Sequence, residues 1–266
     1  MIGFAVIVGA FVSKPPSVGA LDLVLGFITG FSICAYSMAI NDYYDIEVDR
    51  VNQPGRPLPS GRVTPRAAIV LAVVLLGVGM LASALLLSPT AFGIAGLYAI
   101  LSWLYNYRAK KYGIYGNLIV GSSQAIPFIY GGVASGGSVT SSLLLFMAST
   151  SLLAGVGREV VKAMADTVGD AKRGIRSYAI VHGMRSAAWA GALFFIGAVV
   201  TSLLPLLLLP STSLFYRVGV AIPDVIFIYL AYAILNRPTA ERALEVKKRT
   251  LWGMLSGLLV FIGGAF

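Results

Sequence analysis

VGALDLVLGFITGFSICAYSMAI (18–40) runs without a break into NDYYDIEVDR (41–50). The first stretch is apolar and close to the ~20 residues that span a bilayer as a helix. The second is acidic, and charged side chains are costly in a lipid-facing segment, so a carboxylate cluster at the mouth of an apolar run marks function. On a continuing helix Asn41, Asp45 and Asp49 recur every four residues and Asp42 stands three before Asp45, so they share a face and can converge on one ion. Glu47 falls on the other side. DTVGD (166–170) repeats the four-residue step with Asp166 and Asp170, which predicts a second carboxylate wall facing the first. Two such walls need divalent cations between them.

Composition names the solvent. The chain is 58% hydrophobic and 12% charged, with mean hydropathy +0.85, whereas soluble domains carry roughly 25% charged residues. This predicts an all-α, polytopic membrane protein. Apolar runs lie at about 18–40, 66–87, 90–107, 113–134, 140–163, 186–209, 214–235 and 249–266. A further run at 1–13 is too short to span comfortably. It lacks the basic n-region and cleavage site of a signal peptide, so the chain is expected to open partway through a first helix that Lys14, Pro15 and Pro16 end. The whole chain, 1–266, reads as one membrane domain.

The basic residues orient it. All but two of the 20 Lys and Arg fall in alternate loops: Arg50, Arg56, Arg62 and Arg66; Arg108, Lys110 and Lys111; Arg158, Lys162, Lys172, Arg173, Arg176 and Arg185; Arg237, Arg242, Lys247, Lys248 and Arg249. Only Lys14 and Arg217 fall opposite, and the positive-inside rule therefore puts both acidic clusters on the cytoplasmic face of the cell membrane. The same bias accounts for the net charge of +9, so nucleic-acid binding is rejected. Attraction to anionic lipid headgroups or phosphorylated substrates stays open. The lone Cys34 has no partner. Gly26, Gly30, Gly253 and Gly257 are spaced for close helix packing. The two clusters follow the second and sixth runs, hinting at an internal duplication. Asp224 is expected to pair with Arg217, and His182, the only histidine, to be solvated.

Two carboxylate walls and clustered arginines suit one ligand in particular. Mg²⁺ takes one or two carboxylates and fills its octahedron with water and phosphate oxygens, so the arrangement fits a diphosphate held between the walls. Arginine forks add bidentate phosphate contacts, and Asn41 adds an oxygen or a donor. The bland alternative is that the acids pair with nearby Arg and Lys for topology only. A transporter would also place polar groups in an apolar bundle, but near mid-membrane and not at one face.

Asn41, Asp42, Asp45 and Asp49 meet NDxxDxxxD, and Asp166 and Asp170 meet DxxxD. With RPLPSGRVT (56–64) between them, the chain resembles the UbiA-type intramembrane prenyltransferases over nearly its whole length. The resemblance implies nine transmembrane helices around a central cavity, and transfer of a prenyl group from a prenyl diphosphate to a lipophilic acceptor. It implies that Asp42, Asp45, Asp49, Asp166 and Asp170 hold the diphosphate through Mg²⁺, which neutralises the leaving group. Asn41, Arg56, Arg62, Asn117, Arg158 and Lys162 are implied substrate contacts. Tyr43, Tyr44, Tyr105 and Tyr107 offer aromatic faces to an allylic cation. After the fourth run Tyr107 with Lys111 matches the family's Y-x-x-x-K spacing, and Tyr105 with Lys110 is the alternative register. Asn117 either reaches the site or bonds backbone at a helix start.

REVVKAMADTVGD (158–170) is similar to the R-E-x-x-K…D-x-x-G-D pattern of the archaeal ether-lipid branch, the digeranylgeranylglyceryl phosphate synthases. There geranylgeranyl diphosphate alkylates the free hydroxyl of geranylgeranylglyceryl phosphate, and a phosphorylated acceptor rationalises the excess of cytoplasmic cations. Two features depart from that branch. Where that branch carries a further acid this chain has Ala163, giving KAMAD, which is closer to the quinone-pathway members, and the branch's N-terminal Arg-Pro-x-Asn stretch is missing. Quinone, chlorophyll or haem-type acceptors are the alternatives. Prenyl length and oligomeric state leave no mark in the sequence.

Overall fold

Proline and hydroxyl residues set where the long helices begin. Thr64 accepts a hydrogen bond from the Ala67 N–H and Ser88 from the Ala91 N–H, each followed by a proline in the first helical turn. The computed structural model describes residues 1–13, 18–172, 174–210 and 212–264. Lys14, Pro15 and Pro16, expected to end the first helix, and Arg173 lie outside the described residues. The chain forms α1 (Ile2–Val12), α2 (Ala20–Tyr44), α3 (Ile46–Asn52), α4 (Pro65–Leu85), α5 (Pro89–Tyr107), α6 (Ile114–Ala134) and α7 (Ser142–Ala165). These are followed by α8 (Thr167–Lys172), α9 (Tyr178–His182), α10 (Met184–Leu208), α11 (Leu214–Gly219), α12 (Ala221–Asn236) and α13 (Ala240–Gly264). Among the described residues there is no strand.

Every expected apolar run is helical, with two differences. The run at 214–235 is split into α11 and α12. The last run extends upstream, because α13 begins at Ala240 and not at 249. Its first turns are amphipathic: Ala243, Val246 and Thr250 are buried at helical spacing, while Lys248 and Arg249 are exposed. The segments Ala20–Tyr44, Pro65–Leu85, Ser142–Ala165, Met184–Leu208 and Leu214–Asn236 are long and apolar enough to cross a membrane. Val70, Leu71 and Val74 of α4 and Leu193, Val200 and Leu207 of α10 are exposed, which is the face a helix shows to lipid. The protein is an integral membrane protein.

Two helix clusters meet across α1 and α6. One packs α7, α10, α12 and α13 around Val160, Phe195, Leu230 and Ile234. The other packs α2, α4 and α5 around Ile33, Tyr36, Ala72 and Ala99. Between them α1 and α6 approach so closely that a Cβ on Gly9 would stand 1.9 Å from the Phe128 carbonyl oxygen, and one on Gly131 1.9 Å from that of Val6. No side chain fits either position. Of the glycines expected at packing faces, Gly30 abuts Val6 and Gly253 abuts Phe227. Gly257 is looser, 3.8 Å from Pro223.

Asp224 does not pair with Arg217. Its Oδ1 accepts from Ser202 Oγ at 2.7 Å, and Arg217 instead donates to Thr212 and to the Pro210 carbonyl. Asp224 is buried on α12 facing α10, whereas Arg217 on α11 turns back over the preceding loop.

Candidate active site

Both acidic motifs are built the same way. α2 ends at Tyr44 and α7 at Ala165, and each passes through an aspartate with near-identical backbone angles: Asp45 at φ −94°, ψ 2° and Asp166 at φ −99°, ψ 8°. Each then continues into a short helix, α3 or α8. The Asp45 N–H donates to the Asn41 carbonyl and the Asp166 N–H to that of Lys162. The Asp49 and Asp170 N–H groups repeat the bond to Asp45 and Asp166, at 2.8 and 2.9 Å. The two motifs thus share one local backbone geometry. It also interrupts the continuous helical face expected from sequence, because each central aspartate leaves helical backbone angles.

The first wall is closed by cations from two directions. Arg56, carried by the loop after α3, donates from one guanidinium nitrogen to Asp42 at 3.0 Å and to Asp49 at 2.6 Å. That loop is a defined structure, with Ser60 N–H bonded to the Arg56 carbonyl and Val63 N–H to the Pro57 carbonyl. Asp49 is buried, and its hydrogen bond, with the charges of Asp42 and Asp45, holds Arg56 further above the usual arginine range. Lys110 arrives from the 3-10 turn Ala109–Lys111 after α5 and contacts Asp45 at 2.5 Å. Asn41 donates to Asn106 at 2.6 Å. Glu47 points outward and pairs with Arg50.

On the second wall Glu159 is buried and neutralised by Arg158 at 2.7 Å and Lys162 at 3.0 Å. Lys247 of α13 stands 3.9 Å from Asp166 and adds its charge to the field at Glu159. Tyr105 is half-buried on α5 and feels Asp45 of one wall together with Asp170, Glu159 and Lys162 of the other. Tyr105 is thus within electrostatic reach of both walls.

Not every expected contact converges there. Tyr107 is exposed and stacks on Trp103, with centroids 5.1 Å apart, and Lys111 is exposed beside it. The structure brings in Tyr105 and Lys110, the alternative register. Tyr43 and Tyr44 are partly exposed and pack edge to face. Arg62 folds onto its own loop, donating to Ser60 and the Gly55 carbonyl. Asn117, in the first turn of α6, does not cap the helix: its Nδ2 is buried without a partner, as is Nε of Arg158. His182 is exposed on the loop side. Asn106 and Lys247 join the site although sequence analysis gave them no role there. Lys247 was hidden because α13 was expected to start two residues after it.

Beneath the first wall α1, α2, α5 and α6 enclose an apolar cavity, lined by Thr29, Ile33 and Ser37 of α2, Tyr98 and Ser102 of α5, and Tyr130 of α6 among others. From Thr29 to Ser37 it runs about 12 Å along the helix. Ser37 and Ser102 lie one turn from Asn41 and Asn106, so the cavity reaches to within about one helical turn of the first wall.

Among the described residues no three acidic, histidine or cysteine side chains close on one point by themselves. The donors are nevertheless all hard oxygens, and Arg56 and Lys110 occupy cation positions among them. That set fits an ion that takes only one or two carboxylates and completes its shell elsewhere.

Residues 2–254 match the UbiA prenyltransferase family. The chain belongs to that family. It is a prenyltransferase. It is 40% identical to the digeranylgeranylglyceryl phosphate synthase of Archaeoglobus fulgidus, over 100% of this chain and 91% of that one. It is 38% identical to that of Methanocaldococcus jannaschii, over 97% of this chain and 89% of the other. A solved structure of a digeranylgeranylglyceryl phosphate synthase is similar at TM-score 0.80 and 34% identity, covering 99% of this chain and 92% of that chain. A UbiA homolog from Archaeoglobus fulgidus bound to DMAPP and Mg²⁺ superposes at TM-score 0.70 and covers 98% of this chain and 95% of that one. At 16% identity this likeness concerns the fold alone.

Proposed function

We propose that this UbiA-family enzyme transfers a geranylgeranyl group from geranylgeranyl diphosphate to the glycerol hydroxyl of geranylgeranylglyceryl phosphate, with Mg²⁺ as cofactor. The observation that carries the reading is 40% identity, over the whole of this chain and 91% of the relative, to a digeranylgeranylglyceryl phosphate synthase. In this reading the chain is one domain of nine membrane-crossing helices around a central cavity, set in the cell membrane with the acidic walls on the cytoplasmic side. Asp42, Asp45, Asp49, Asp166 and Asp170, with Asn41, hold the diphosphate through Mg²⁺, which when bound supplies charge neutralisation of the leaving group.

The chain's own residues do the rest. Arg56 and Lys110 supply fixed positive charge beside the diphosphate, where preorganised charge acts in a site shielded from water. The apolar cavity takes the prenyl tail and keeps the reacting carbon dry. Tyr105, between the walls, presents its ring to the allylic centre as the C–O bond breaks. Diphosphate departs with that electron pair, and the acceptor oxygen forms the ether bond and releases its proton. The acceptor phosphate falls to Arg158, Lys162 and Lys247. Their positive charge exceeds what Glu159 neutralises, and the buried Arg158 Nε lacks an acceptor. Arg62 is reserved by its own loop, which weighs against its expected phosphate role.

The test is purified protein with labelled geranylgeranyl diphosphate and a panel of acceptors. Geranylgeranylglyceryl phosphate should be the preferred acceptor, turnover should vanish on chelation, and added Mg²⁺ should restore it. Preference for an aromatic quinone precursor, or full turnover in excess chelator, would overturn the reading.

A further inference from the structure

Asn106 sits at the end of α5, 9% exposed, and makes two side-chain hydrogen bonds that orient each other. Its Nδ2 donates to the Ser102 carbonyl at 2.9 Å, and its Oδ1 accepts from Asn41 Nδ2 at 2.6 Å. A backbone carbonyl can only accept, so the Asn106 nitrogen must face Ser102 and its oxygen must face Asn41. Asn41 must then present its own nitrogen to Asn106. A carboxamide that commits its nitrogen one way turns its oxygen the other, and Asn41 shares the first wall with Asp45, one helical turn on.

We propose that Asn106 is a positioning residue that locks the Asn41 carboxamide with Oδ1, not Nδ2, toward the diphosphate and its cations. The proposal rests on the reading of 41–49 as the diphosphate wall. Without the lock, Asn41 can rotate and offer a donor where the site needs an oxygen. The Ser102 carbonyl, set by the α5 backbone, is the anchor of the relay. The same turn of α5 lines the tail cavity, so the position of α5 fixes both the cavity wall and the amide.

The test uses purified full-length protein with Asn106→Leu, Asn41→Ala and the double variant. Three quantities are read: the Mg²⁺ concentration for half-maximal turnover, KM for geranylgeranyl diphosphate, and the rise in Tm when Mg²⁺ and an unreactive thiolodiphosphate analogue are added together. Asn106→Leu should raise the half-saturating Mg²⁺ and KM about five- to tenfold, the scale of one hydrogen bond, and shrink the ligand-induced rise in Tm. In the Asn41→Ala background it should add nothing, because it acts only through that side chain. Asn106→Ala carries the same expectation should the leucine variant fail to fold. A ligand response equal to wild type, or an effect that adds in full to Asn41→Ala, overturns the role of Asn106. If wild type itself gives no Mg²⁺-dependent rise in Tm with the analogue, the reading of the wall fails instead.

Discussion

Arg56 and Lys110, from two different loops, between them contact all three aspartates of the first motif. Lys110 and Lys111 test this pairing at adjacent positions. Lys110→Gln removes a charge-assisted contact to Asp45 from a largely buried place, a change worth about 1.5–3 kcal/mol, and should lower kcat/KM roughly ten- to hundredfold. Lys111→Gln should stay within about twofold, since an exposed lysine contributes little. Equal losses in steady-state assays of both variants would place the diphosphate elsewhere. The four-residue aspartate steps were legible because any helix preserves them. The lysine register was not: neighbouring residues differ by about 100° around a helix, and the 3-10 turn at Ala109–Lys111 that phases them has no signature in AKK.

The elements that carry the site were legible where apolar runs are bounded by caps, as at Thr64 and Ser88, and less so where a helix is amphipathic. The first turns of α13 were read as loop because AERALEVKKR is charged, although Ala243, Val246 and Thr250 keep helical spacing. The break at Asp45 was invisible for a different reason: nothing in NDYYDIEVD marks it, although there the Val48 N–H bonds the Asp45 carbonyl three residues back and not that of Tyr44. The tail cavity depends on which faces α1, α2, α5 and α6 turn to one another, and no single run encodes that. Cys34 lines the cavity from α2 without a side-chain hydrogen bond to lose. Cys34→Phe should therefore add bulk at a tolerable cost, about 1–3 kcal/mol for overpacking. Geranylgeranyl diphosphate should lose several-fold in kcat/KM while a shorter prenyl diphosphate loses less, with unchanged Mg²⁺ dependence. Parallel losses across chain lengths in the same assay would remove the tail from this cavity.

At the scale of the molecule the distribution of charge makes the sharpest claim. Both walls, the loop that carries Arg56, and the basic start of α13 lie at one end of the bundle. Lipid-facing helices such as α4 and α10 separate that end from the turns near Leu87 and Pro210. A diphosphate cannot cross the hydrocarbon, where even one charge is costly, so the enzyme should see only substrate supplied at the basic end. In the orientation proposed from the positive-inside rule that end is cytoplasmic. Inverted vesicles containing the enzyme, with the cytoplasmic face outward, should turn over externally added geranylgeranyl diphosphate at once when the lipid acceptor is already in the membrane. Right-side-out vesicles should be silent until permeabilised, and then reach a comparable rate. Charge-reversing substitutions in the loops cannot mimic this outcome, because the readout is the side of entry and not the rate of chemistry. Activity in sealed right-side-out vesicles, with inverted vesicles silent, would invert the topology. The cations around Arg158 and Arg176 would then face outward against the charge bias, and that bias would need a cause other than membrane insertion.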